Sequence, residues 1–253
     1  MDVPDDPRIA IDGGTRVLVV TGAGISAESG LATFRGAGGL WEGQRVEDVA
    51  TPEGFATDPG LVWRFYSARR AAALAAQPNP AHLALAAVEG RLEDRFLLVT
   101  QNVDGLHRRA GSRRLIEIHG SLFRTRCSRC DLPPFADESL HESGAPGCER
   151  CAARGRRADL RPDIVWFGEL LDSDHLRRVE AFAEEGPGER LVFVAVGTSG
   201  NVWPVAGFVD LAAAVGGETW LVNLEPAHND WRFDRIVRGA AGEVLPVLLG
   251  VVG

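Results

Sequence analysis

No lysine occurs among the 253 residues of this chain, so all 27 of its basic side chains are arginine. That omission excludes Schiff-base catalysis through a lysine amine and any phosphate loop that depends on one. Its ordinary cause is GC-rich codon usage, given how common Ala, Arg and Gly are. No apolar run reaches the roughly 18 residues of a membrane helix. The opening stretch MDVPDDPRIAIDGG lacks both a basic n-region and an apolar h-region, which predicts no signal peptide and a cytoplasmic location. Internal repeats and low-complexity tracts are missing too. Basic residues are outnumbered 27 to 35, a net charge of -8, so a nucleic-acid backbone is not an expected partner, and with no membrane helix neither is a membrane. Cysteine is scarce, and its four copies all fall between 127 and 151.

What remains is the composition of an ordinary globular protein, 45% hydrophobic and 25% charged, sized for one domain or one domain with a small insertion. Short apolar runs at Thr15–Gly22, Arg95–Thr100, Leu191–Gly197 and Glu218–Asn223 read as buried parallel strands. Helical patterns lie between them at Ala81–Val88, Asp174–Glu185 and Val205–Val215. The alternation predicts an α/β fold with a doubly wound, Rossmann-like parallel sheet. Two stretches break the rhythm. Phe34–Pro80 reads as a loop followed by short helices, and Cys127–Arg157 is rich in Gly, Pro and Arg. Both are expected to form a smaller lobe, with a ligand cleft between the lobes.

After the first strand, Gly22-Ala23-Gly24-Ile25-Ser26-Ala27 fits a G-x-G-x-x-G/A phosphate turn opening a helix. In this reading Gly22 permits the tight turn and Gly24 lets the backbone approach a pyrophosphate. The pattern alone is weak, and its continuation is unusual. Phe34-Arg35-Gly36-Ala37-Gly38-Gly39-Leu40-Trp41 stands where a dehydrogenase would have helix, strand and a ribose-binding acid, so plain hydride transfer is disfavoured. The cysteines are more specific. Cys127-x2-Cys130, 17 residues, then Cys148-x2-Cys151 has zinc-ribbon spacing, and four thiolates close the metal's shell, making it structural. Disulfides are the alternative, and a reducing compartment disfavours them.

Polar residues gather at strand ends. Gln101-Asn102-Val103-Asp104 follows one strand, where Asn102 and Asp104 are either ligand contacts or helix caps. His119, after Leu115–Ile118, sits before the cysteine insertion and reads as a general base or as a satisfied polar residue. His82, His107, His141, His175 and His228 read as helix or loop histidines. Gly197-Thr198-Ser199 is a turn suited to a close-lying nucleotide, and Asn223-Leu224-Glu225 offers partners for ribose hydroxyls or a helix cap.

The segments GAGISAESGLATFRG, TQNVDGLH, IHG, the paired CxxC, WFGE, GTS and NLEP, in this order, resemble the sirtuin family from about Arg16 to Leu249. The resemblance implies one sirtuin-type domain over 1–253. Its Rossmann-like lobe would comprise about 14–33, 81–120 and 160–253, and its smaller lobe about 34–80 and 121–159. It implies that Gly22 to Trp41, including Ala23, Ile25, Ser26, Glu28, Phe34 and Arg35, cradles NAD. Gln101, Asn102, Val103 and Asp104 would line the nicotinamide pocket, and Gly197, Thr198, Ser199, Asn223, Leu224, Glu225 and Ala241 the adenosine side. His119 matches the general base, with Asn102 beside it in catalysis. Val165-Trp166-Phe167-Gly168-Glu169 matches the strand that pairs with substrate peptide.

A narrower match, Tyr66-x-x-Arg69, resembles the class III, desuccinylase-like branch. Three residues apart on a helix, the two share a face, and an arginine fork with a tyrosine hydroxyl suits a carboxylate. Ala50 is small where a bulkier residue would shorten the acyl pocket; Arg70 is the second choice to Arg69. Alone, Arg69 reads as a solvated helix arginine. The implied activity is NAD-dependent removal of succinyl, malonyl and acetyl groups from protein lysines, giving nicotinamide, 2′-O-acyl-ADP-ribose and free lysine. The remaining alternatives are an ADP-ribosyltransferase on the same fold and a non-catalytic NAD or ADP-ribose sensor. Under the first of these implications the missing lysines acquire a second explanation, avoidance of self-acylation.

Overall fold

The computed structural model describes residues 8–33, 40–41, 43–184, 186 and 188–251, with only the backbone for 40 and 41. Strand β1 (Thr15–Thr21) runs into a 3-10 helix (Ala23–Ser29). An antiparallel pair, β2 (Leu40–Trp41) and β3 (Gln44–Arg45), precedes α1 (Val46–Val49), α2 (Pro52–Thr57), α3 (Pro59–Ala75) and α4 (Pro80–Leu92). Then come β4 (Phe96–Thr100), α5 (Leu106–Arg109), β5 (Leu115–Glu117), β6 (Gly120–Cys127), β7 (Phe135–Ala136), α6 (Glu149–Ala152) and β8 (Leu160–Ile164). The chain closes with α7 (Ser173–Glu184), β9 (Arg190–Val196), α8 (Phe208–Ala214), β10 (Glu218–Asn223), β11 (Arg235–Arg238) and α9 (Ala241–Leu248).

Six strands form a parallel sheet in the order β11-β10-β9-β1-β4-β5. Every residue of β1 is buried, because helices cover both faces and a parallel strand so placed is apolar throughout. Val17, Val19, Leu98 and Val194 face Leu85 and Val88 of α4 and Leu245 of α9. On the other face, Leu18, Val20 and Phe193 meet Val179 of α7 and Val209 of α8. Each fully buried Val or Leu contributes roughly 1.5–3 kcal/mol. From β1 the chain builds outward to β4 and β5 on one side and to β9, β10 and β11 on the other. The order therefore reverses between β1 and β9, and ligands bind beyond the carboxyl ends of strands at such a switch point.

Three helices of this chain start in the same way. Thr51-Pro52, Asp58-Pro59 and Asn79-Pro80 each place a capping oxygen before a first-turn proline, and each oxygen accepts a backbone N–H of the new turn. The smaller lobe is built on β7-β6-β8, an antiparallel sheet in which β6 runs from Gly120 to Cys127. One strand thus joins the neighbourhood of His119 to the first cysteine.

The glycine turn opens a helix, of the 3-10 kind. Three features differ from the sequence reading. Beyond the short helices α1 and α2, α3 extends over 17 residues. Strand β11, which the sequence reading did not foresee, forms an exposed edge of the sheet. Finally, Val165–Glu169 is no strand: β8 ends at Ile164, and the Glu169 carboxylate accepts the Trp166 N–H at 2.9 Å, folding the chain into a turn with Gly168 at φ +87°.

Candidate active site

A cleft of about 980 Å³ opens over the carboxyl ends of β1, β4, β9 and β10 and is walled on the other side by α3 and the turn after β8. At its floor the strand exits are tied together. Gln101 donates from Nε2 to Thr198 Oγ1 at 3.2 Å, and Asn223 Nδ2 donates to the Thr198 carbonyl at 2.8 Å. The amides of Gly22 and Gly24 donate to the carbonyls of Val196 and Gly197 at 2.9 and 2.8 Å. A Cβ on Gly22 would stand 2.7 Å from the Gly197 oxygen, and one on Gly24 2.6 Å from the Gly197 Cα. Gly22 has an ordinary extended backbone, φ -118°. Glycine is therefore required at both positions because the exits of β1 and β9 pack backbone to backbone. The sequence reading asks for glycine here for a tight turn and for the close approach of a pyrophosphate; the contact with Gly197 is a further reason for it.

Asn102 and Asp104 belong to a buried knot around Ser26. Asn102 Nδ2 donates to the Gly22 carbonyl and to Ser26 Oγ, both at 3.1 Å, and Ser26 Oγ donates to Asp104 at 2.8 Å. Asp104 also accepts the Leu106 N–H at 2.9 Å, so it does cap α5 as well as bordering the cleft. Burial raises the Asp104 pKa, against the lowering by these two hydrogen bonds.

His119 has a defined tautomer. Its Nδ1 lies 3.1 Å from the Gln101 carbonyl, which can only accept, so Nδ1 carries the proton and Nε2 keeps a lone pair. Burial lowers its pKa below the usual histidine value, the Gln101 bond opposing this, and the ring lines the cleft as a neutral base.

Tyr66 and Arg69 of α3 line the same cleft together with Ala50, Ala72 and Ala73. Tyr66 is 1% exposed, its hydroxyl accepts the Trp166 indole N–H at 3.0 Å, and burial pushes its pKa up to about 12. The Arg69 guanidinium lies 5.8 Å from the Phe65 ring centroid. Arg70 points elsewhere. It donates to the Leu122 carbonyl at 2.7 Å, pairs with Asp137 at 3.3 Å and is buried in the joint between α3 and the segment separating the cysteine pairs.

Of the residues expected at the cofactor, Gly22, Ala23, Gly24, Ser26, Glu28, Gln101 to Asp104, Gly197 to Ser199, Asn223 to Glu225 and Ala241 all border the cleft. Ile25 does not: its side chain is wholly buried beneath the sheet's helical layer. Phe34 and Arg35 lie outside the described residues, as does the Trp41 side chain. Val165 to Glu169 border the cleft as a turn. Sequence reasoning missed the apolar wall of Leu122, Ile164 and Ala73 near Tyr66. Ala73 was legible, being four residues beyond Arg69 and hence on its helical face. It also missed that His82 and His107 are a buried pair, ring centroids 4.7 Å apart.

The four cysteine sulfurs lie within 4.8 Å of one another, with Cys127–Cys151 at 3.7 Å and Cys130–Cys148 at 3.8 Å. A tetrahedron with zinc–sulfur bonds of about 2.3 Å has edges of about 3.8 Å. A disulfide needs about 2.05 Å. The residues fit a closed structural zinc site.

Comparison with known proteins gives a consistent picture. The sequence model described as the Sir2 family matches residues 22–204. A protein of Salmonella typhimurium named NAD-dependent protein deacylase is 50% identical over 235 residues, 91% of this chain and 81% of its own length. NAD-dependent protein deacylase 2 of Pyrobaculum aerophilum is 45% identical, over 92% of this chain and 89% of its own. Among solved structures, a Sir2 homologue bound to NAD has a TM-score of 0.81 at 41% identity, covering 92% of this chain and 87% of that one. A complex described as Sir2, p53 peptide and NAD+ has a TM-score of 0.76 at 31% identity, covering 91% and 90%. Among the described residues no helix is long and apolar enough to cross a membrane.

Proposed function

This chain belongs to the Sir2, or sirtuin, family, and on that premise we propose that it removes acyl groups from protein lysines at the expense of NAD, acting on succinyl and malonyl groups in preference to acetyl. One observation carries the reading: a single cleft brings the strand-end polar residues, His119 with its open Nε2 and the Tyr66–Arg69 pair together. NAD would supply an electrophilic ribose carbon, taken by the acyl-lysine oxygen as nicotinamide leaves, and a 2′-hydroxyl that would carry the acyl group away as 2′-O-acyl-ADP-ribose once water frees the lysine. The chain's own residues hold and move protons. Nε2 of His119 takes a proton from the ribose hydroxyls, and its Nδ1–H bond to Gln101 fixes the ring for that transfer. Asn102 and Asp104, locked through Ser26, shape the nicotinamide end. Thr198, Ser199, Asn223 and Glu225 line the adenosine end.

Substrate peptide enters along the turn Val165–Glu169, whose exposed Phe167 borders the cleft. Arg69 supplies the charge that receives an acidic acyl group, and Ala50 leaves room for its length. Zinc, held by Cys127, Cys130, Cys148 and Cys151, keeps the ribbon folded and takes no part in the transfer. The two-lobe division and a cytoplasmic site of action, where thiolates stay reduced, belong to the same proposal, as does the absence of nucleic acid from its partners.

The test compares succinyl-lysine and acetyl-lysine peptides, with and without NAD, on the wild-type chain and on Arg69→Met. Acyl loss should require NAD, and Arg69→Met should lose most desuccinylation while keeping deacetylation. Intact desuccinylation in Arg69→Met would refute the acidic pocket. Nicotinamide release without acyl loss would instead favour ADP-ribosyl transfer.

A further inference from the structure

The acyl end of the cleft contains a hydrogen bond whose direction is fixed by chemistry. An indole nitrogen donates and cannot accept, so the 3.0 Å contact between Trp166 Nε1 and Tyr66 Oη makes the phenol oxygen the acceptor. A phenol O–H lies in the plane of its ring, with two in-plane positions for the proton and the facing lone pair. The indole N–H occupies one of them. The hydroxyl proton is thereby turned to the other, away from Trp166, and is left for a partner in the cleft that Tyr66 lines. Because burial keeps the phenol protonated, it remains a donor at any physiological pH.

The indole itself is tightly held. Arg161 lies over its ring, 3.3 Å from the centroid. The same guanidinium bonds both oxygens of Glu169, at 2.6 and 2.9 Å, and Glu169 in turn accepts the Trp166 backbone N–H. Phe55 packs on the indole at 5.4 Å between centroids. Ring plane and main chain are therefore both fixed, which is what a directional donor requires.

We propose that Trp166 is a positioning residue for acyl selectivity: by donating to Tyr66 it commits that hydroxyl to donate to the distal carboxylate of an acidic acyl group, beside the charge of Arg69. The inference rests on the acidic-acyl reading above. An acetyl group has no carboxylate to receive this bond, so the effect must be seen in the ratio of succinyl to acetyl kcat/KM. Without the indole donor the hydroxyl divides its proton between two orientations and leaves an unmatched lone pair in a buried wall.

Trp166→Phe should lower the ratio roughly three- to tenfold, chiefly through a higher KM for succinyl-lysine peptide, the span expected for a weakened charge-assisted hydrogen bond. In a Tyr66→Phe background the same change should lower it no further. Replacing Trp166 by 3-benzothienylalanine keeps ring shape and removes only the N–H, so it should reproduce the fall in a normally folded chain. Equal losses on both substrates, an unchanged ratio in the benzothienyl variant, or independent effects in the double variant would each overturn the proposal. Arg69→Met separates the two levels. If it too leaves the ratio unchanged, the acidic-acyl reading has failed; if it collapses the ratio while the Trp166 variants do not, only the role of Trp166 has failed.

Discussion

At the scale of single residues, an imidazole whose Nδ1–H is committed to a backbone carbonyl can act as a base through Nε2 alone. Because the carbonyl of Gln101 belongs to the main chain, no side-chain substitution removes it, and the tautomer is built into the exit of β4. His119→Ala is expected to keep NAD binding and bound zinc and to lose deacylation by at least about a hundredfold, the usual worth of a positioned base. Calorimetric titration with NAD and peptide assays check this, and near-normal turnover would reject the role. The pH profile gives an independent check. A base works when neutral, and burial lowers the His119 pKa. The acid limb of kcat/KM should consequently fall below pH 6.5, the ordinary histidine value; an acid limb above it would contradict the burial argument.

At the scale of elements, the most exacting contact joins the exit of β1 to the exit of β9. Gly24→Ala would drive a Cβ to within 2.6 Å of the Gly197 backbone, which has no flexible end to yield. Overpacking of this kind costs about 1–3 kcal/mol or more, and here it also separates the two strand exits that form the cleft floor. A lower melting temperature together with weaker NAD binding is expected; a variant with wild-type values for both would show the contact to be slack. This contact also measures what the sequence could convey. Apolar runs located β1, β4, β9 and β10 within a residue or two, since a strand covered on both faces has little compositional freedom. The glycines were legible as a special turn, but the backbone contact at them was not, because the atoms that exclude a side chain lie far along the chain at Gly197. Ile25 fell within a motif and was read with it, although the 3-10 helix turns its side chain into the core. Trp166 was legible as part of WFGE; that its N–H meets a tyrosine 100 positions earlier was not. Motifs record which residues a site uses, whereas hydrogen-bond direction requires the fold.

For the molecule as a whole, two features outside the apolar side chains also bear on stability. One is the metal. Structural zinc sites contribute their binding energy to folding, and β6 and β8 join the cysteines to the cleft. A strong chelator should therefore lower the melting temperature and abolish activity together, with zinc restoring both; retained activity in metal-free protein would refute a structural role. The other is a pair of histidines buried without charge. Burial lowers the His82 pKa to about 4 and that of His107 well below its usual value, with His82 adding to the effect on His107. In the unfolded chain both take up a proton near pH 6.5. The sign follows. Below that pH the unfolded state binds more protons than the folded one, so stability is full above pH 6.5 and is lost as pH falls toward 4. His82 alone accounts for roughly 2 kcal/mol by pH 5, or about 4–8 °C in melting temperature for a chain of this size. Zinc-saturated protein melted at intervals from pH 7.5 to 5 should show that decline, and His82→Gln, which removes one titrating ring, should show a shallower one. Equal slopes in the two proteins would mean that His82 is already charged in the fold, and that its burial does not act as described.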